Sequence, residues 1–544
     1  MFILIAVAGL TISLRKPAEK YFDIAKSLDI FTTLFKEVNS YYVDEVEPEG
    51  LIHEGIEGML ESLDPYTDYI SEEDMESFRI TTTGRYGGIG ALIGFINNKV
   101  VITEPYEGFP AQKSGLKVGD EIIAVDGKNV KGKSTNDVST ILKGQPKTTV
   151  EIKVKRLGVA EELTFKIQRE KINISNLAYF GLVEPEVGYI KLDDFTPGAG
   201  KEVSHALTSL KRSGAKKIIL DLRENPGGLL NEAVNVVNIF VPKGEEVVAT
   251  KGKVKEWNKT YFTLDNAIDK EIPLVVLTSS GSASASEIVA GALQDYDRAV
   301  LVGKKTFGKG LVQTTKPLSY NTQLKITTAK YYIPSGRCIQ ELDYAHRQED
   351  GTVNKIADSL RVQFETKGGR QVFDGGGLDP DISVKDKFLG TVTIALLSKG
   401  LIFDYATKYS NENPAPKNFR TFRLDDNQYN KFVKWVEDQK FSYVTPLENS
   451  ASDLFEAAKE ERNFKALEKQ LDALKGTIES NKTNDLIRFK SEVKQVLEQE
   501  IAFHYGVHQG ATEYTLDKDD FILEASRILN DPDRYKKILS PITP

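Results

Sequence analysis

The feature that most constrains this 544-residue chain is an apolar run that gives way at once to small residues. Pro273-Leu-Val-Val-Leu-Thr278 has the length and β-branched content of a buried strand. Gly281-Ser-Ala-Ser-Ala-Ser-Glu287 follows, and beyond it Ile288, Val289, Ala292 and Leu293 fall on one helical face. Ser282, Ser284 and Ser286 therefore occupy a strand-to-helix turn, where a hydroxyl meets the positive end of a helix. Such a turn suits a nucleophile, because the helix end favours the negative charge that develops in the reaction. These residues alone leave the choice among the three serines open. A nucleophile needs a base, and Lys309 stands in a Gly-Lys-Gly loop after the next strand, Ala299-Val-Leu-Val302. Adjacent strands can bring the two turns together. A lysine acts as a base near neutral pH only where its surroundings favour the uncharged amine. The flanking glycines permit close backbone packing, and Phe307 is expected to help exclude water. No histidine is required.

The same alternation of strand and helix extends around this stretch. Strand Val187–Leu192, helix Lys201–Arg212 and strand Lys217–Leu222 lead to Asn225-Pro-Gly-Gly228, which opens a helix over Leu229–Phe240. A Gly-Gly pair at a strand-to-helix turn supplies N–H donors for an oxyanion. Residues 171–389 are thus expected to form a mixed α/β core. Residues 80–170 change character, with alternating strands at Val100–Thr103, Thr149–Lys155 and Leu163–Gln168 and a short helix at Thr135–Leu142. Helical spacing covers 18–79 (Phe22, Ile24, Leu28, Phe31, Leu34, Phe35, Val38), broken by Leu-Asp-Pro-Tyr-Thr at 63–67, and reads as a packing subdomain. It returns in 390–544, where Phe464, Leu467, Leu471, Leu474 and Ile478 form one stripe and Leu486, Phe489, Val493 and Val496 another. These are expected to make a helical bundle or a contact between copies of the chain.

Composition excludes several classes. A net charge of −8 argues against a phosphate-binding surface and nucleic-acid partners. A single cysteine, Cys338, excludes an intramolecular disulfide and any Cys-rich metal site. His504 and His508 stand at i, i+4 without a third ligand, so no metal and no cofactor are expected. Gly127-Lys-Asn-Val-Lys-Gly-Lys-Ser134 matches the P-loop pattern, and Ile218-Ile-Leu-Asp221 could pass for an acidic NTPase strand. A nucleotide fold needs continuous parallel strands, and the strands around Gly127 are short and alternating, so an NTPase is a distant alternative. Phe2–Leu14 is nearly all apolar, too short for the roughly twenty residues of a membrane span. With residue 17 as its end, it is expected to be a clipped signal or signal-anchor whose true start lies upstream.

Two resemblances sharpen the reading. Pro110-Ala111 and Ser114-Gly-Leu-Lys-Val-Gly-Asp-Glu-Ile-Ile-Ala-Val-Asp-Gly127 are similar to the central signature of a PDZ domain. Tyr86, Gly87, Gly88, Ile89 and Gly90 resemble the PDZ loop whose N–H groups hold a peptide's terminal carboxylate. The strand Ala91–Phe95 would then accept the peptide, with Val138, Ile141 and Leu142 lining the groove. Ser-Ala-Ser-Ala-Ser-Glu at 282–287 followed by Thr-Phe-Gly-Lys-Gly-Leu-Val-Gln at 306–313 resembles the C-terminal processing, or tail-specific, proteases. That resemblance implies Ser284 as nucleophile, Lys309 as general base and Gln313 as the residue orienting the lysine. It also implies an oxyanion hole from Gly228 (or Gly227) and Ala285, a capping role for Glu287 and an acyl-enzyme. The fold implied is a crotonase-like core carrying a PDZ domain, with Tyr331–Gln340 as the strand after the dyad. The polar segment 341–375 departs from the family pattern. The expected protein is a serine endopeptidase of the bacterial cell envelope, on the periplasmic side and anchored to the inner membrane, acting on protein C-termini. A catalytically inactive PDZ adaptor is the rival class, and the presence of both Ser284 and Lys309 speaks against it.

Overall fold

The computed structural model of the chain describes residues 17–344, 346–348, 351–461 and 464–541. The apolar segment expected to be a signal or anchor lies outside the described residues, and no described helix is long and apolar enough to cross a membrane. The chain divides into two units, one ending at Glu72 but joined by Gln313–Thr327, the other made of Glu73–Val312 and the residues from Thr328 onward.

In the first unit, helices Pro17–Tyr41 and Pro48–Glu61 carry the helical spacing. The Asp64 carboxylate ends that run by accepting from the Tyr66 and Thr67 N–H groups at 2.9 Å each. Asp68–Ile70 then pairs antiparallel with residues 323–325. The stripe expected to pack inward is largely exposed, with Phe22 at 69% and Leu28 at 62%. Two helices and one short strand pair enclose too little volume to bury it.

The second unit is built on a six-stranded sheet whose strands follow chain order: β1 (Leu177–Glu184), β2 (Val187–Leu192), β3 (Lys217–Asp221), β4 (Leu274–Thr278), β5 (Val300–Gly303) and β6 (Ile382–Ser383). β1 is antiparallel to β2, and every later pair is parallel. Parallel neighbours need crossovers. Helices α1 (Ala199–Arg212), α2 (Leu230–Phe240) and α3 (Ala285–Asp295) lie within them. Because side chains alternate along a strand, Leu274 and Val276 of β4 join the cluster formed with these helices, while Val275 and Leu277 face the opposite side.

That opposite side is covered from far along the chain. The long helix α4 (Lys490–Thr515) leads to α5 (Asp520–Asn530), whose Phe521, Ile522, Ala525, Ile528 and Leu529 pack with Val275, Leu277, Val300 and Val302. Asp519 caps the start of α5 and pairs with Arg223, which also pairs with the fully buried Asp221 at the end of β3. The stripe expected over Leu486–Val496 packs against Thr391–Ser398, Leu401–Glu412 and Asp426–Asp438. Within α4, Val507 has φ 48° and ψ −135°, which kinks the helix and parts the two histidines. His504 hydrogen-bonds Thr407, and His508 hydrogen-bonds Glu104.

Residues 91–168 form a separate antiparallel sheet, with Ala91–Ile96 at one edge beside Lys99–Pro105. In the P-loop-like segment, Ser134 caps helix Thr135–Leu142 through a capping box with Asp137. The hydroxyl is thereby used, and the sheet around it is antiparallel throughout. Val138 and Leu142, expected to line a peptide groove, are instead buried in the core of this sheet. They fall on the helix face turned to the sheet, and Ile141 alone of the three is partly exposed. Tyr331–Gln340 is not one strand: the strand ends at Tyr332, and a turn closes through Gly336 N–H to the Ile333 carbonyl.

Candidate active site

Between β4 and α3 the chain makes a tight turn, and two of the three serines hold it in place. The Ser282 hydroxyl donates to the Leu222 carbonyl at 2.7 Å, and the Ser286 hydroxyl donates to the Asn225 carbonyl at 3.0 Å. Both residues are fully buried. Ser284 differs: it is partly exposed, and its backbone sits at φ 55°, ψ −110°, a positive φ that a non-glycine residue adopts only under local constraint. Of the three, two are struts between loops and Ser284 alone reaches the surface.

The constraint comes from Glu287. Its Oε2 accepts the Ser284 N–H and the Lys309 N–H, each at 2.9 Å. Its Oε1 accepts the Gly308 N–H at 2.8 Å and the Thr306 hydroxyl at 2.6 Å. One fully buried carboxylate thus joins the serine turn to the Gly-Lys-Gly loop. All four partners donate, so the group is suited to them only as an anion. Burial nonetheless pushes its carboxyl up from 4.5 to about 7. Capping describes only a quarter of these contacts.

Tyr331 makes a second bridge between the same two residues. Its buried hydroxyl hydrogen-bonds the Lys309 carbonyl and lies 3.2 Å from the Ser284 carbonyl oxygen. The backbones of Ser284 and Lys309 are therefore linked twice, N–H to N–H through Glu287 and C=O to C=O through Tyr331. Nothing in the sequence marks Tyr331 for this, since it lies on the strand beyond the loop. Tyr331→Phe is expected to lower stability by about 1 kcal/mol, the net worth of one hydrogen bond. It is also expected to lower kcat by roughly tenfold, as a small misplacement costs rate. Parallel thermal unfolding and steady-state kinetics would read both.

The Gly-Gly turn abuts the same point. Gly227 has φ 103°, and a methyl group there would lie 2.7 Å from the Ala283 carbonyl oxygen and 2.9 Å from the Ala285 nitrogen. Only glycine allows that approach. Asn225 steadies the turn, donating to the Leu192 carbonyl and accepting the Gly227 N–H. Phe195 pairs with Gly228 in an isolated bridge. Among the described residues the Gly228 and Ala285 N–H groups donate no hydrogen bond. Two donors left open beside Ser284 are what an oxyanion needs.

The other candidates are placed as follows. Lys309 is partly buried, and a methyl on Gly308 would lie 2.5 Å from the Glu341 Cβ, so the glycines do permit close packing. Phe307 is 45% exposed and covers less than expected, because its backbone, not its ring, is held, by N–H to the Ser282 carbonyl. Gln313 belongs to the first unit, where its side chain donates to the Thr327 hydroxyl at 3.0 Å. Tyr86, Gly87 and Gly88 lie in strand Arg85–Gly88, paired with Glu170–Asn173. The Gly87 carbonyl accepts the Gly144 N–H, the Ile89 carbonyl accepts the Ala111 N–H, and Gly90 turns at φ 75°. No group of metal-ligating side chains occurs among the described residues.

Comparison with known proteins shows the family and the domains of the chain. The family model for peptidase family S41 matches residues 186–345, and a PDZ-domain model matches 101–156. A carboxy-terminal-processing protease of Bartonella bacilliformis is 38% identical over 319 residues, which cover 58% of this chain and 73% of that relative. The chain belongs to the carboxy-terminal-processing proteases of peptidase family S41. It is a serine-type peptidase with a PDZ domain. A probable CtpA-like serine protease of Staphylococcus aureus (strain COL) is 38% identical over 317 residues, covering 58% of this S41 chain and 62% of the relative. A model described as the C-terminal helical domain of a probable PDZ-protease matches residues 392–529. Among solved structures, the photosystem II D1 C-terminal processing protease aligns over 66% of this chain and 88% of its own, at 28% identity and a TM-score of 0.35.

Proposed function

We propose that this S41 peptidase cleaves polypeptides near their C-termini through a Ser284–Lys309 dyad on a crotonase-like core. The observation that carries the reading is the double link between the two residues, by the Glu287 carboxylate and the Tyr331 hydroxyl. A link of that kind keeps nucleophile and base in register without needing a histidine. The neutral Lys309 amine takes the Ser284 hydroxyl proton as Oγ attacks the scissile carbonyl. The Gly228 and Ala285 N–H groups receive the oxyanion. Lysine then returns the proton to the leaving amine, and water resolves the acyl-enzyme by the same route. Gln313 as the residue orienting Lys309 rests on the resemblance of its motif alone.

The PDZ domain would supply substrate choice. Ala91–Ile96 is an edge strand, which can accept an extended peptide as an added strand. The proposed carboxylate loop at Tyr86–Gly90 adjoins it. Attachment to the cell envelope and association between copies belong to the same proposal. Amidating a substrate's C-terminus should weaken its binding about tenfold or more, because charge-assisted hydrogen bonds contribute about 1.5–3 kcal/mol each. The comparison uses the full chain with two peptides that differ only in the terminal amide. Equal affinities would remove carboxylate capture while leaving the dyad in place.

A further inference from the structure

A hairpin next to Tyr331 carries charge that its own fold does not balance. Strands Glu246–Gly252 and Lys259–Phe262 pair antiparallel, and a one-turn 3₁₀ helix at Lys255–Trp257 lies between them. The first also pairs with strand Gln323–Tyr332, in a register that sets Thr250 opposite Tyr331 and Lys251 opposite Lys330. Residues directly opposite share a face of the sheet, and successive residues alternate between faces. One face therefore holds Tyr331, whose hydroxyl reaches the Lys309 and Ser284 carbonyls, and the other holds the two lysines.

Residues 251–262 read Lys-Gly-Lys-Val-Lys-Glu-Trp-Asn-Lys-Thr-Tyr-Phe, four lysines against one glutamate. The chain's net charge of −8 averages over this local excess. Like charges directly opposite on a sheet are unfavourable, yet Lys251 and Lys330 are placed so. Lys251, Lys253, Lys255, Lys259 and Lys330 form no ion pair among the described residues. Lys251 and Lys259 stand instead over the rings of Tyr332 and Tyr261, at 4.6 Å and 4.5 Å from the ring centres. Every residue from Lys253 to Thr260 is exposed. The Trp257 N–H donates to the Val254 carbonyl, so two apolar residues, 53% and 39% exposed, form the ends of one turn among the lysines.

We infer that this hairpin docks on a membrane surface bearing anionic lipid headgroups, with Trp257 and Val254 entering the boundary below the headgroups and the lysines facing the phosphates. Charge complementarity and the apolar tip together name the occupant. Clustered lysines are drawn to an anionic bilayer, and an indole places an apolar body and a polar N–H at its boundary. An acidic polypeptide would use the lysines but would leave the Val254–Trp257 tip in water. Because Lys251 and Lys330 lie on the face opposite Tyr331, docking there leaves the Ser284–Lys309 side of the strand unoccupied. The inference stands on the hairpin and does not require the dyad reading.

The test is co-sedimentation of the full chain with vesicles of phosphatidylcholine alone or mixed with phosphatidylglycerol. Partitioning onto the anionic vesicles is expected to be on the order of 10²-fold stronger, since each lysine near such a surface contributes roughly fivefold. The preference should shrink as salt rises. Lys253→Gln/Lys255→Gln/Lys259→Gln should lower anionic binding by about 10²-fold and flatten its salt dependence. Trp257→Ala should lower it roughly tenfold while keeping the salt dependence, because it removes apolar contact and no charge. Binding should also shift the tryptophan emission to the blue in the wild type and not in Trp257→Ala, which retains Trp435. All these positions are exposed, and thermal unfolding would confirm that each variant keeps its fold. Equal binding to both vesicles, unchanged in the triple variant, would assign attachment to the apolar stretch Phe2–Leu14 and overturn the hairpin's part. Absence of binding to anionic vesicles, or an emission unchanged on binding, would overturn it too. A Glu-rich peptide bound where vesicles are not would replace the membrane by an acidic polypeptide.

Discussion

Ser284→Ala, or Lys309→Ala, is expected to lower peptide-bond cleavage by about 10⁴-fold or more, and the double variant by little beyond either single one. Nucleophile and base act as one unit, so their losses do not add. Lys309→Arg should be no better, because a guanidinium stays protonated near neutral pH and cannot accept the serine proton. The four variants and the wild type would be incubated with an unfolded protein and the products identified by mass spectrometry. All should retain the wild-type fold, since Ser284 and Lys309 reach each other's loop through backbone groups that the substitutions keep. Cleavage within tenfold of wild type in any of them would show that the nucleophile or the base is another residue.

Glu287→Gln is expected to disable the site from behind. The carboxylate receives four donors, and an amide offers only one oxygen. With that oxygen kept toward Ser284 and Lys309, the Thr306 hydroxyl can rotate to accept, but the Gly308 N–H is left buried and unpaired. Such a group costs about 1–3 kcal/mol, and the shift of loop it causes costs roughly 10²-fold in kcat. The pH dependence gives a second, independent readout. Because the Glu287 carboxyl rises from 4.5 to about 7 on folding, the folded chain binds the extra proton between those values. Its contribution is therefore fully present below pH 4.5 and is lost as pH rises through about 7, a change of about 3 kcal/mol. The variant has no such group, so the stability gap between the two proteins should narrow by that amount across the window. Urea unfolding at several pH values would follow it. A gap that stays constant, together with near-wild-type kcat, would falsify the positioning role of Glu287.

The local pattern around the serines was legible because it depends on neighbours in the chain. The continuous apolar character of Leu274–Thr278 requires burial on both faces, and the spacing of Ile288, Val289, Ala292 and Leu293 requires a helix. These two facts place the turn between them whatever the rest of the fold does. The same holds for the short alternating strands of residues 91–168, whose bounds at Thr149–Lys155 and Leu163–Gln168 follow from period-two patterning. Which serine faces outward is a different kind of question. Ser282, Ser284 and Ser286 recur at every second position, each beside an alanine. Their fates diverge because the carbonyls of Leu222 and Asn225, sixty residues earlier, lie within reach of two hydroxyls and not the third.

Periodicity likewise shows that a strand has two apolar faces without showing what covers the second. Here it is α5, about 250 residues beyond β4 in the chain, and its own amphipathic pattern would have fitted a helical bundle equally well. Tyr331 could be read as one more strand residue, and Val507 as one more helix residue. Their roles arise from the order of strands in the sheet and from where α4 meets Glu104. A sequence pattern reports how much of a side chain must leave water. The partner it then meets is decided by loop closure and packing over the whole chain, which local spacing does not encode.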